Sequence, residues 1–308
     1  PVAHSFPTRR SSDLIERRTE MNALPGVVIT DFVDDRGQPL VSSMRMGGME
    51  VRLVASDEQV ARARLSPPEL LASLLVRAEP PIDHPRQLDR GKYRLHVTEG
   101  EMPPLPRTSR QHVRAVDGRT AIVTVDVTGG FEPADGPPTV THSTLIDGRD
   151  QRIAALADEA VADADDGAAA QAEAMRRFVL EYIHAKGLGV GMATASEAAR
   201  TRSGDCTEHA MLLGAMLRAH DIPSRVASGL VYADQFLGQR SVFGYHMWTQ
   251  AWIDGEWVDL DAAISPDHAF DATHIALSVS DMVDGEMFND MIRFVPLVGR
   301  LKVTPIAP

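Results

Sequence analysis

A cysteine, Cys206, stands in the run SGDCTEHAMLLGAMLRAH, and a histidine and an aspartate follow in YHMWTQAWIDGEWVDLDA as His246 and Asp261. A thiol, an imidazole and a carboxylate are the groups that covalent acyl transfer requires. The sulfur attacks a carbonyl, the imidazole takes or holds the thiol proton, and the carboxylate fixes the imidazole tautomer. Each residue alone has a plainer account. A lone cysteine is commonly a small buried hydrophobe, a strand histidine a satisfied polar residue, and an aspartate at a strand end a turn former. The three together, in this framing, are hard to explain as packing.

Two elements must position them. Asp205 followed by Glu208 has the spacing of a capping box, which predicts a helix over 205–220 with Cys206 as its first helical residue. A helix N-terminus carries partial positive charge and free N–H groups, so it stabilises a thiolate and can hold an oxyanion during acyl transfer. Cys206, Ala210, Leu213 and Leu217 share one helical face, so the thiol turns toward the packing surface. The second element is a hairpin whose two-residue loop is Asp254-Gly255, among the strongest of short turn signals. With that loop Ile253 pairs with Glu256, and the same register places His246, Trp248, Gln250, Asp259 and Asp261 on one face. Asp261 is then the diagonal neighbour of His246, roughly 7–8 Å away between Cα atoms, whereas Asp259 lies further off. The register therefore selects Asp261 over Asp259 as the residue that orients the base.

Around this triad, Asp205, His209, Trp248 and Gln250 are the candidates for shaping the oxyanion side or the cleft, and Ser203-Gly204 leaves room for a substrate backbone. The segment 233–244 joins two strands and ends beside His246, as a lid or an ordinary loop would. Asp271 and His274 in FDATHIA read as structural residues. Cys206 and His209 have C-x-x-H spacing, but a structural zinc site wants four ligands and a second pair is lacking, so no metal is expected. GLGVG, from 187, lacks the strand-to-helix context of a phosphate loop.

The runs GDCTEHAMLLGAMLRAHDIPSRVASGLVY and GYHMWTQAWIDGEWVDLDAA resemble the transglutaminase-like superfamily. The resemblance covers about 150–276 and implies a papain-like fold with Cys206, His246 and Asp261 as triad. The segment after the cysteine helix fits too, through Arg218, Ile222, Pro223, Arg225 and Gly229. Ala262 stands where the family usually has proline, which touches nothing catalytic. The chain looks most like bacterial members that carry a β-rich region ahead of the core, and the resemblance implies an exported, periplasmic or cell-envelope enzyme.

The rest of the chain fits an α+β protein of 308 residues. Short strands fill 15–130, a helix is expected over 67–78, and the Pro-rich stretch 131–140 reads as a linker. Helices follow over 150–163, 168–186 and 196–200, the second ending at a Gly187 cap. The catalytic domain is expected over 141–308. A net charge of −12 excludes a nucleic-acid footprint, and no run of 18 apolar residues marks a membrane span. A single cysteine excludes an intrachain disulfide. Lys92, Lys186 and Lys302 are the only lysines, and that arginine skew suggests a GC-rich bacterial genome.

The reading is thus a cysteine-dependent enzyme acting on peptide or carboxamide bonds of a peptide or protein substrate, without cofactor. Hydrolysis leads because nothing identifies an amine-acceptor site. Protein crosslinking is the alternative within the class, and a catalytically silent scaffold module is the alternative outside it. The stretch His4–Leu14, HSFPTRRSSDL, reads like a translated library adapter, so 1–14 is expected to be an artefact that stands in place of the natural N-terminus. Re-amplifying the locus from genomic DNA is expected to return a sequence without it; finding His4–Leu14 encoded there would overturn that reading.

Overall fold

Asp254 and Gly255 both adopt positive φ, 53° and 89°, the requirement of the tight hairpin turn whose twist matches its strands. Strands β12 (Gln239–Ile253) and β13 (Glu256–Leu260) pair through it from Ile253↔Glu256 to Thr249↔Leu260, the register the sequence predicts. This computed structural model describes residues 14–20, 28–46, 49–55, 74–137, 142–186, 193–265, 267–284 and 297–306. Contacts divide the chain into two units, Pro1–Ser66 and Pro67–Pro308.

The first unit holds an antiparallel meander of β1 (Ile15–Glu20), β2 (Val28–Val33), β3 (Pro39–Met46) and β4 (Met49–Val54). Asp31 is nearly buried there and accepts hydrogen bonds from Arg17 and Ser42.

The second unit carries the site in three layers. Its central sheet has the order β13-β12-β11-β14, with β11 at Ser224–Phe236 and β14 at Ile275–Ser280; short β5 (Val76–Arg77) pairs the outer part of β12. Helices α1 (Gln151–Val161), α2 (Ala168–Tyr182), α3 (Ala195–Thr201) and α4 (Cys206–Ala219) cover one face. Met211, Leu212, Leu213 and Leu217 of α4 pack with Val226, Met247 and Ala251 of the sheet. The other face is covered by a second antiparallel sheet, ordered β15-β6-β8-β7, from β6 (Arg90–Val97), β7 (Gln111–Asp117), β8 (Thr120–Asp126) and β15 (Leu301–Ile306). Tyr93, Leu95, Val123 and Val125 meet Leu230, Phe243 and Ile275 in that second core. With both faces covered, the inner part of β12 is buried almost continuously rather than alternately.

Several expectations change. The unit holding the site begins near Pro67, not after the linker expected at 131–140. The apolar side of β6 and β8 is what covers the central sheet, so these strands belong to the same core. Of the helix expected over 67–78, residues 67–73 lie outside the described residues, and Val76–Arg77 forms a strand instead. The helix predicted to reach Lys186 ends at Tyr182, where Ile183 turns extended and buries its side chain. Ala185–Lys186 then pairs in parallel with Ser203–Gly204 (β9 and β10). Gly187 and the rest of GLGVG lie outside the described residues. The segment 233–244 is not a loop: β11 and β12 continue through it as a paired arm to Phe236↔Gln239, turning at Leu237 and Gly238 with φ 46° and 79°.

The signature after the cysteine helix has a structural meaning. Asp221 takes a left-handed φ of 58° ahead of Ile222-Pro223, which leads into β11. Arg218 is buried and donates to the carbonyls of Ser224 (2.8 Å) and Asp281 (2.7 Å), tying the end of α4 to the sheet. Arg225 donates to Gln250 Oε1 at 2.7 Å and lies 3.8 Å over the Trp257 ring. Gly229 sits opposite His246 in the register, where β14 makes a bulge. A Cβ there would collide with the Ile275 carbonyl and approach the Trp248 ring to 2.9 Å. Only a glycine lets β14 lie this close to β11 at the position opposite His246. Gly229→Ala is expected to destabilise the fold by about 1–3 kcal/mol, the cost of overpacking a tight core, as measured by thermal or denaturant unfolding; an unchanged midpoint would refute this account of the glycine.

Candidate active site

The capping box forms as the sequence predicts. Asp205 accepts from Thr207 N at 2.9 Å, and the Glu208 carboxylate reaches back to Asp205 N at 2.9 Å. Glu208 is fully buried and also accepts from Ala193 N; burial raises its pKa above the usual carboxylate value. Gly204 makes room for Glu208, since a Cβ there would overlap its side chain. The cap presents the partly exposed Cys206 thiol at the positive end of α4.

β12 brings His246 to the thiol. The imidazole is 9% exposed, and Nε2 lies 2.9 Å from Asp261 Oδ2, which leaves Nδ1 as the nitrogen that can serve the thiol. Burial works against charge on the ring, but the Asp261 carboxylate and the bonds to Asp261 and Cys206 outweigh it and raise His246 to about 10. Burial alone would raise Asp261; the two imidazoles beside it hold it well below the usual carboxylate range instead. The site therefore favours imidazolium facing carboxylate.

Asp261 lies just past the end of β13, and its main chain is fixed on both sides. Its N–H donates to Ala269 O at 2.7 Å, and its carbonyl accepts from the buried Arg176 of α2 at 3.1 Å. Carboxylate Oδ1 accepts from Ala263 N at 2.7 Å. Asp259, passed over in the register argument, instead accepts from Trp248 Nε1 (2.7 Å) and Gln250 Nε2 (2.6 Å).

The remaining predicted residues sit at different depths. Trp248 is 1% exposed and lies under His246 with rings nearly parallel at 6.2 Å; it supports the imidazole from behind rather than lining a cleft. Gln250 is buried, and its amide is committed to Asp259 and Arg225, so it does not face substrate. His209 is buried with Nδ1 2.6 Å from Asp205 O, turned to its own helix cap and not toward a metal shared with Cys206. Asp205 acts as helix cap, and as a carboxylate it can donate nothing to an oxyanion.

Sequence reasoning missed the role of His274. It lies just before β14, 2% exposed, with Nε2 3.1 Å from the same Oδ2 that bonds His246. Its Nδ1 is 3.0 Å from Asp271 O, and Asp271 in turn pairs with Arg86 at 2.6 Å. Phe270 and Trp248 pack on its ring at 4.8 and 5.2 Å. Burial again opposes charge, yet Asp271 and Asp261 raise the His274 pKa, while His274 and Arg86 lower Asp271 to about 2 against its own burial. Polar contacts thus run inward without a break from Arg86 through Asp271, His274 and Asp261 to His246. The sequence signal was a pair of ionisable residues, Asp271 and His274, in the run FDATHIA.

His246, Asp261 and His274 also offer ligand atoms within 4.8 Å of one another, a donor set that zinc accepts. Both imidazole Nε2 atoms, however, lie at hydrogen-bond distance from one carboxylate oxygen, and shared protons account for that spacing.

Residues 154–262 match the family model described as the Transglutaminase-like superfamily. No curated protein matches the chain. Among solved structures, a candidate cysteine protease from Cytophaga hutchinsonii aligns at 14% identity and TM-score 0.42, over 70% of this chain and 83% of its own. The periplasmic domain of TgpA from Pseudomonas aeruginosa, bound to ethylmercury, aligns at 18% and 0.40, over 65% of this chain and 96% of its own. A TGase aligns at 9% and 0.31, over 72% and 65%.

A raised His246 pKa makes a signed prediction. The stabilisation from its charge is complete below the ordinary value of 6.5 and is lost as pH rises through about 10. Melting temperature is expected to fall between pH 7 and 10, and Asp261→Asn is expected to flatten that slope; parallel slopes in the two proteins would contradict the ion pair.

Proposed function

Because residues 154–262 belong to the transglutaminase-like superfamily, we propose that the protein is a cysteine-dependent acyl-transfer enzyme that hydrolyses peptide or carboxamide bonds. Cys206 is the nucleophile, His246 the acid and base, and Asp261 the residue that orients His246. The observation that carries the reading is the buried His246–Asp261 bond of 2.9 Å, with Cys206 beside the same imidazole at a capped helix start.

The Cys206 thiolate attacks the carbonyl carbon, and the negative oxygen is held by the Cys206 backbone N–H at the positive helix end. The His246 imidazolium gives its proton to the leaving nitrogen as the C–N bond breaks, which leaves a thioester and a neutral imidazole. Water then loses a proton to His246, attacks the thioester, and releases acid and thiolate. The pocket of Asp261 and His274 keeps imidazolium favourable throughout. Peptides or proteins are the substrates this chemistry serves.

A glutamine-containing peptide with a labelled primary amine separates the outcomes. The expected products are hydrolysis products, abolished in Cys206→Ala and lowered about 10⁴-fold in Asp261→Asn, as for carboxylates that hold a catalytic tautomer. Dominant amine incorporation would identify a crosslinking enzyme instead. Absence of both, with Cys206 no more reactive to iodoacetamide than a free thiol, would identify a silent module.

A further inference from the structure

A cavity of about 550 Å³ opens beside His246, between the arm of β11 and β12 and the 3-10 turn Pro85–Gln87. His246 forms part of its wall, and Cys206 does not. That asymmetry assigns a side of the reaction. The acyl half of a substrate is bonded to Cys206, whereas the leaving nitrogen must meet the His246 proton. A cavity reached by the imidazole and not by the sulfur therefore lies on the leaving-group side.

Its lining states the chemistry it accepts. Phe236 at the tip of the arm and Ile264 just beyond Asp261 are 40% and 38% exposed, and both face this cavity. Tyr245 adds an aromatic wall. Two large apolar side chains exposed in one cavity form the kind of patch that marks a ligand-binding surface. Arg86, the cation in the lining, is already paired with Asp271 and bonded to the Tyr232 carbonyl, so it offers little to an anion. Asp234 places a carboxylate on the wall, which suits a departing amine and not an acid.

We propose that this cavity is the leaving-group subsite and that it selects an amine-side residue with a bulky apolar side chain, of leucine or phenylalanine size. The inference rests on the acyl-transfer reading above.

Microscopic reversibility allows a test that needs no knowledge of the acyl half. p-Nitrophenyl acetate acetylates Cys206 and releases p-nitrophenolate. An amino acid amide then attacks the thioester through its nitrogen, loses a proton to His246, and leaves as the N-acetyl amide with the thiolate restored. Glycinamide and phenylalaninamide compete in one reaction, and their acetylated products are measured by mass spectrometry. Both present an α-amine of similar basicity, so selectivity reports binding. An apolar pocket is expected to favour phenylalaninamide by ~10–100-fold. The double variant Phe236→Ser, Ile264→Ser is expected to bring the ratio close to one. Val116→Ser, which removes an equally exposed apolar side chain of β7 outside the cavity, should keep it. A wild-type ratio near one, a preference that survives the double variant, or an equal loss in Val116→Ser would overturn the subsite while the acetyl-enzyme chemistry stands. Failure of Cys206 to acetylate at all would overturn the acyl-transfer reading, and the subsite with it.

Discussion

One carboxylate oxygen, Asp261 Oδ2, lies within hydrogen-bond distance of two buried imidazoles, His246 at 2.9 Å and His274 at 3.1 Å. A buried charge is tolerated only where partners replace its water. Here the partners come from β12 and from the segment before β14, and both must arrive at one oxygen. Much of the surrounding structure follows from that demand. Arg176 and Ala269 fix the main chain of Asp261 from opposite sides. Gly229 lets β14 approach β11 opposite His246. Arg86 and Asp271 complete the run of polar contacts behind His274.

The same buried environment sets the chemistry. Attraction between close charges grows as water is excluded, so the imidazolium persists well above its ordinary titration range. The thiol meets this imidazolium at the start of a helix that is itself among the most buried elements. A rigid α4 matters for the proposed chemistry, because catalysis loses rate steeply with small errors of placement. Arg218 ties the far end of α4 to the sheet, and the Asp205–Glu208 box ties the near end to Ala193.

Layering explains why the site needs more chain than its motifs span. The central sheet is apolar on both faces, with helices on one and the β15-β6-β8-β7 sheet on the other. The arm beyond the paired core carries Phe236 to the rim of the cavity beside His246. His246 and Asp261 are thus held by the buried part of the hairpin, and the groups proposed to meet the leaving side by its exposed part.

What the sequence determined by itself was local. Asp254-Gly255 fixes a two-residue turn and so the register, and Asp205 and Glu208 fix a helix start, because each rests on backbone geometry within four residues. From these the nearness of His246 to Asp261, and the separate fate of Asp259, were legible. Only the tertiary structure decided the rest. His274 reaches Asp261 through an irregular segment that no periodicity describes. Arg86 meets Asp271 across 185 positions of sequence. β6 alternates between buried and more exposed positions, and nothing in that alternation says which surface its buried face covers. Such contacts depend on which apolar faces meet, and that choice is made by the whole core rather than by any one segment.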